Sequence, residues 1–271
     1  MTIDHLGYAF SMGHNTAGWE INSIFRIIGR LAFPLFMFLL AEGMNKTHRR
    51  GRYLGRVFAM FALITVGECI VIAIPYFRDM GFDERRLDPH PFIDIFLNGA
   101  MLFFLYQKGW KKILAAIPIS VIVLSFVVKV LEANGFGYQA YFPYFIRSGY
   151  DLIGLTLSLG FTIGIWGFHK VALNKGIEGG SVKYQGFANA SVILAGFLLY
   201  SILALVCCLT MPNTSIGITF FKWQSFCLLA LILILFYNGK RGYDKPWWRI
   251  FSYWYFLIHM GIIALLVLFV L

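Results

Sequence analysis

Long apolar stretches separated by short polar ones set the architecture of this chain before any single residue is considered. Apolar runs of near-spanning length or more lie at about 23–44, 57–75, 92–107, 113–132, 149–168, 187–210, 220–238 and 250–271. A bilayer core asks for roughly 20 apolar residues per helix. Lipid offers backbone groups no partner but their own, so each run reads as a helix. A shorter run opens the chain, from Met1 to about Met12, ahead of the polar stretch GHNTAGWEIN. It reads as half a span, not as a cleavable signal peptide. The pattern predicts an all-α, polytopic membrane helix bundle of about nine transmembrane helices, its first one a half-span or a truncated one. With no internal repeat and no long linker, residues 1–271 read as a single integral-membrane domain.

Composition sharpens this picture. The chain is 59% hydrophobic and only 13% charged, with a mean hydropathy of +0.72, whereas about 25% of residues are charged in ordinary globular domains. A formal charge of +10 raises the question of nucleic acid, and the position of the cations answers it. Every second connection is basic: Lys46, Arg49, Arg50, Arg52 and Arg56; then Lys108, Lys111 and Lys112; then Lys170, Lys175 and Lys183; then Lys240, Arg241, Lys245 and Arg249. The intervening connections hold only Arg78, Arg85, Arg86 and Arg147. That alternation is the positive-inside pattern. It puts the basic loops in the cytoplasm, the amino terminus inside, and membrane lipids, not nucleic acid, around the chain. The four cysteines fall in apolar runs and form neither a disulfide framework nor a metal pattern, so no metal is expected.

Charges inside apolar runs then become the candidate chemistry, because such groups are costly unless they face a partner or a wet cavity. Asp4 and His5 lie in the opening run, Arg26 and Arg30 one helical turn apart in the second, Glu68 in the third and His259 in the last. Counted along the helices at about 1.5 Å per residue, these groups share the outer half of the membrane and extend towards its middle. A histidine exchanges protons near neutral pH, and arginines hold carboxylates, phosphates or a developing oxyanion. The set suggests acyl or proton transfer. An alternative is that Asp4, Arg30 and Glu68 are structural ion pairs. Lys129, Lys222, Asp94 and Asp151 read as side chains that snorkel to the interface. The cluster KPWWRIFSYWYF reads as an interfacial aromatic belt.

Several of these residues sit in longer motifs. MTIDHLGYAF, followed by IGRLAFPLFMFLLAEGMNKT and a basic RYLGR turn, resembles the TraX family of integral-membrane proteins, named for acetylation of the F-pilin amino terminus. The second motif matches from Gly29 through Gly43 without a gap. SGYDLIG around Asp151 looks like a weaker form of the family's Asp-Tyr-Gly region. YWYFLIHM resembles its late Tyr-Pro-x-His signature, with His259 in register and the proline absent. Family members have a longer apolar start, so the resemblance implies that Met1 falls inside their first helix. The family looks distantly related to the integral-membrane acyltransferase superfamily.

The resemblance implies a membrane-embedded acetyltransferase that takes acetyl-CoA from the cytoplasm. Its acceptor would be an extracytoplasmic or membrane-embedded peptide amino terminus such as pilin, a glycan or a lipid. Under that reading His5 is the base, Asp4 orients the site, and Arg26 and Arg30 hold the pantetheine end or the oxyanion. Lys46, Arg49, Arg50 and Arg52, with Glu42 paired to one of them, would hold the phosphates of coenzyme A. Glu68, Asp151 and His259 are further buried polar candidates. A transporter or flippase with a buried charged pathway, and a structural part of a secretion or conjugation apparatus, are the competing classes. The expected location is the bacterial cytoplasmic membrane. Acceptor identity and oligomeric state stay open.

Overall fold

The computed structural model describes residues 2–3, 6, 24–25, 27–75, 91–135, 142, 146–177, 182–211, 224–240, 242–243 and 245–269. The regular elements among them are all helical. In chain order they are α1 (Ala32–Lys46), α2 (Arg50–Ala73), α3 (Pro91–Leu105), α4 (Ala116–Ala133), α5 (Asp151–Asn174), α6 (Val182–Thr210), α7 (Ala230–Leu235) and α8 (Pro246–Phe269). Short 3₁₀ segments, Gly109–Ala115 and Gln224–Leu229, lead into α4 and α7. Among the described residues four helices are long and apolar enough to cross a membrane: Ile27–Lys46, Gly109–Ala133, Asp151–Asn174 and Lys183–Thr210. Pro91–Leu105 and Ser225–Leu235 are apolar but shorter. The helical membrane-protein reading is borne out at this level, while the described residues show four such helices where the hydropathy pattern predicts nine.

Among the described helices α5 and α6 make the most extensive contact, and glycine makes it possible. A Cβ on Gly160 would stand 2.8 Å from Gly196 Cα, and one on Gly164 would stand 2.6 Å from Val192 Cα. These two glycines form a Gly-x-x-x-Gly stripe. Small residues of this kind let backbones approach in lipid, where apolar side chains gain nothing from leaving water. The Ser191 hydroxyl donates to Gly164 O at 3.0 Å across the same seam. Helix α1 packs on α5 and α3 through its buried Phe33, Met37, Phe38, Ala41 and Met44. Phe38 meets Phe161 edge-on. Phe33 stacks flat on Tyr150, 3.6 Å between centroids.

What sets the start of α5 is a carboxylate from α3. Asp94 is fully buried. Its Oδ1 accepts from the Ser148 hydroxyl and from Tyr150 N at 3.2 Å, and its Oδ2 accepts from Gly149 N at 3.1 Å. Ser148 N donates in turn to Ser125 Oγ of α4 at 3.0 Å. The Ser148 hydroxyl oxygen also accepts from Asp151 N at 2.8 Å. These bonds satisfy backbone donors at a helix start, which have no partner within the helix. Asp151 begins α5 at φ 44°, an unusual conformation for a residue other than glycine, and the surrounding bonds hold it there. Its Oδ2 pairs with Lys129 Nζ of α4 at 2.6 Å.

The expected snorkelling of Asp94 and Asp151 is therefore corrected. They are 0% and 3% exposed: Asp94 meets donors from the turn before α5 inside the bundle, and Asp151 pairs inward through Oδ2 with Lys129, its Oδ1 having no hydrogen-bond partner among the described residues. Lys129 does remain half-exposed while it pairs inward. Asn98, one turn after Asp94, continues the polar line: its amide donates to Asp94 O at 2.9 Å, and its Oδ1 accepts from the Ser158 hydroxyl of α5 at 2.7 Å.

Four substitutions test these packing claims by thermal unfolding in detergent, followed by fluorescence-detected gel filtration. Gly164→Leu is expected to cost about 1–3 kcal/mol or more, since its side chain meets backbone that cannot yield. Gly167→Ala, which meets nothing within 4 Å, is expected to hold or raise stability by up to about 1 kcal/mol. Asp94→Leu is expected to cost at least about 3 kcal/mol, because it strands three donors at about 1–3 kcal/mol each. Asp94→Asn keeps an acceptor oxygen and should lose clearly less. Equal stability of Asp94→Leu and the native chain would contradict the clamp.

Candidate functional site

A cleft of about 790 Å³ opens between α1, α2, α3, α8 and the start of the chain. Helical spacing builds its walls. On α1 the lining residues are Ala32, Leu35, Phe36, Leu39 and Leu40, and on α2 they are Tyr53, Arg56, Val57 and Met60. On α8 they are Ser252, Tyr255 and His259. Each set follows the i, i+3, i+4, i+7 rule, so each is one face of its helix. Phe92 and Ile95 of α3 close one side, and Thr2 and Ile3 close another. Helix α1 thus serves two partners: the face just named lines the cleft, and the face carrying Met37, Phe38 and Ala41 is buried against the core.

The polar groups in this largely apolar cleft are few and specifically held. His259 is 4% exposed, and its Nδ1 lies 2.8 Å from Tyr255 O. A carbonyl can only accept, so Nδ1 carries the proton, and in the neutral ring the lone pair lies on Nε2. The Tyr255 ring stacks on the imidazole at 5.1 Å. The Tyr255 hydroxyl lies 2.7 Å from Thr2 Oγ1, which ties the opening segment to α8. Rings continue from Tyr255 to Phe251 and Trp248 along the same helix. Arg56 is the one formally charged cation among the described lining residues, and no carboxylate is among them. Tyr53 lies across Gly43: a Cβ there would stand 2.7 Å from its hydroxyl. Close approach of that ring is a physical reason for glycine after Glu42.

The sequence candidates distribute unevenly around this cleft. Asp4, His5 and Arg26 lie outside the described residues, as does the side chain of Glu68, whose backbone is in α2. Thr2 and Ile3, immediately before Asp4, do line the cleft. Arg30 is not among the described lining residues; its Nε is buried with no hydrogen-bond partner among the described residues. Glu42 pairs with Lys46 at 2.7 Å, and Lys46 also donates to Gly239 O at 2.8 Å. Both border a separate hollow of about 90 Å³ between α1, α5 and α6. Arg50 donates to Met44 O at 2.8 Å and lies over the Tyr106 ring at 4.3 Å, so it closes the end of α1. Arg49 and Arg52 are exposed. Asp151 belongs to the α3–α4–α5 clamp. Of the candidates among the described residues, only His259 lines the cleft.

Arg56, Tyr53, Ser252 and Tyr255 were not singled out by sequence. The charge pattern groups Arg56 with the loop cations, and the aromatic cluster groups Tyr255 with the interfacial belt. The available signal was the spacing Ser252, Tyr255, His259, which places a histidine and two hydroxyls on one helical face.

The family model described as TraX protein matches residues 1–82. Comparison with curated proteins gave no match, and comparison with solved structures gave none. The matched stretch contains Thr2, Ile3, α1 and α2, which supply most of the cleft wall; over residues 1–82, this chain carries the pattern of the TraX family.

Proposed function

We propose that this chain is a membrane-embedded acetyltransferase of the bacterial cytoplasmic membrane, with about nine spans and its amino terminus inside. It would move an acetyl group from cytoplasmic acetyl-CoA to an acceptor amine or hydroxyl. The observation that carries this reading is the cleft itself: a wall drawn mainly from the TraX-matching stretch, with the buried His259 and with Arg56 among its described lining residues. The apolar wall suits the pantetheine arm of the donor. The exposed arginines at the start of α2, Arg49 and Arg52, suit its phosphates.

In this mechanism the acceptor attacks the acetyl carbonyl carbon, and the bond from that carbon to sulfur breaks. His259 Nε2 takes the acceptor's proton and returns it to the departing thiolate. The hydrogen bond from Nδ1 to Tyr255 O holds the ring in the tautomer this needs. Tyr53 and Arg56 supply donors for the carbonyl oxygen. His5 follows Ile3 by two positions and is the second candidate for the base, with Asp4 orienting it and with Arg26 and Arg30 acting on the oxyanion. A transport pathway would need buried charges able to meet a moving substrate. Asp94 and Asp151 are instead engaged in holding the start of α5.

Purified protein in detergent, supplied with radiolabelled acetyl-CoA and a mixed membrane extract as acceptor, is expected to release free coenzyme A. His259→Gln should lower that rate by about 10²–10⁴-fold with an unchanged gel-filtration profile. Loss in His5→Gln with native turnover in His259→Gln would move the base to His5. Native turnover in both variants, or no release by the native chain, would overturn the acetyltransferase reading.

A further inference from the structure

The segment that leads into α4 carries a surface that neither the cleft nor the clamp uses. Gly109, at φ 63°, turns the chain after α3, and Gly109–Ala115 then runs as a 3₁₀ segment at the start of the candidate span Gly109–Ala133. Ala115 is buried and seats this segment against α3. A 3₁₀ turn takes three residues, so side chains three apart lie one above the other. Trp110 and Ile113 therefore form one outward edge, 69% and 73% exposed, and Ile117 of α4 extends it at 61%. Lys111 and Lys112 stand between the first two in the chain, and Lys108 stands just before them. All three lysines are exposed. The carboxylates whose side chains are described are engaged elsewhere: Glu42 with Lys46, Asp94 with the turn before α5, Glu132 with Arg147, and Asp151 with Lys129. The lysines thus carry charge that no described acid balances, beside an apolar edge at the end of a span.

We propose that this edge is a binding site for an anionic phospholipid, with the lipid phosphate at Lys108, Lys111 and Lys112 and the upper part of an acyl chain along Trp110, Ile113 and Ile117. Tryptophan beside lysine suits the boundary between acyl chains and head groups, the indole lying at that depth and the ammonium groups reaching the phosphates. Each lysine near an anionic membrane surface strengthens association about five-fold. A soluble phosphate compound would use the lysines alone, whereas a lipid uses both halves of the surface. Charge position that only orients the chain asks for no apolar edge and favours no one basic connection over another; a site asks for both. The surface shares no residue with the cleft lining or with the arginines proposed for the donor's phosphates, so the lipid binding does not rest on the acetyltransferase reading.

The test uses the full chain in phosphatidylcholine nanodiscs that contain a minor fraction of dibrominated lipid as a fluorescence quencher. The signal of Trp110 is the difference between the native chain and Trp110→Phe. Dibromo-phosphatidylglycerol is expected to quench Trp110 more strongly than the same fraction of dibromo-phosphatidylcholine, and saturably. Lys111→Gln should weaken that preference about five-fold. Changing all three lysines to glutamine should abolish it with an unchanged gel-filtration profile. Lys170→Gln combined with Lys175→Gln, at exposed lysines of another basic connection, should leave it intact. Unlabelled phosphatidylglycerol should displace the quencher, and acetyl-CoA or inorganic phosphate at matched ionic strength should not. Equal quenching by the two lipids, an undiminished preference in Lys111→Gln, or an equal fall in the Lys170 and Lys175 variant would reduce the patch to general surface charge and overturn the proposal. Displacement by acetyl-CoA or phosphate would assign the lysines to a soluble phosphate and overturn it as well.

Discussion

A buried carboxylate in an apolar bundle must be met by donors, and the way Asp94 meets this demand organises the molecule. Ser148, Gly149 and Tyr150 reach it from the turn before α5, so α3 determines where α5 begins. From there α5 runs against α6 along Gly160 and Gly164, at a separation that leaves no room for a Cβ. Helix α1 then finds a wall in Phe161 and Tyr150 for one of its faces. Among the described residues no helix fills its opposite face. That face, with one side of α2 and one of α8, encloses the cleft.

This arrangement separates two kinds of polar group. Asp94, Asn98, Ser125, Ser148 and Ser158 are consumed in mutual hydrogen bonds, and the clamp they form is closed. In a low-dielectric interior a satisfied network rigidifies, while a partly satisfied one is costly. His259 differs from them. Its Nδ1 is used by its own helix, and the ring lies in the wall of a cavity large enough for a substrate. The distinction lies in geometry, because both groups are buried in the same apolar bundle.

Much of this was legible in the residues. Hydropathy places the helices, and the eight long apolar runs each carry one of α1 to α8. The segment from Gly29 to Gly43 indicates the family stretch, and its glycine gains a physical reason in the Tyr53 ring. Less legible was the fate of Asp94 and Asp151: a carboxylate near a helix start looks the same whether it meets water or the backbone of a neighbouring turn. The α5–α6 seam could have been read from Gly160 and Gly164, four positions apart. Arg56 could not be separated from the loop cations around it, because charge counting assigns them all to topology, and only the turn of α2 carries this one to the cleft.

The central claim is that acetyl transfer takes place in the cleft between the family-matching helices and α8. Its most direct measurement is a cryo-electron microscopy map of the full chain in nanodiscs with a non-transferable acetyl thioether of coenzyme A. The account predicts analogue density along the α1 face, its carbonyl within about 3 Å of His259 or, should the base lie there, of His5. Density between other helices, or α8 packed onto α1 with the cleft filled by side chains, would contradict it.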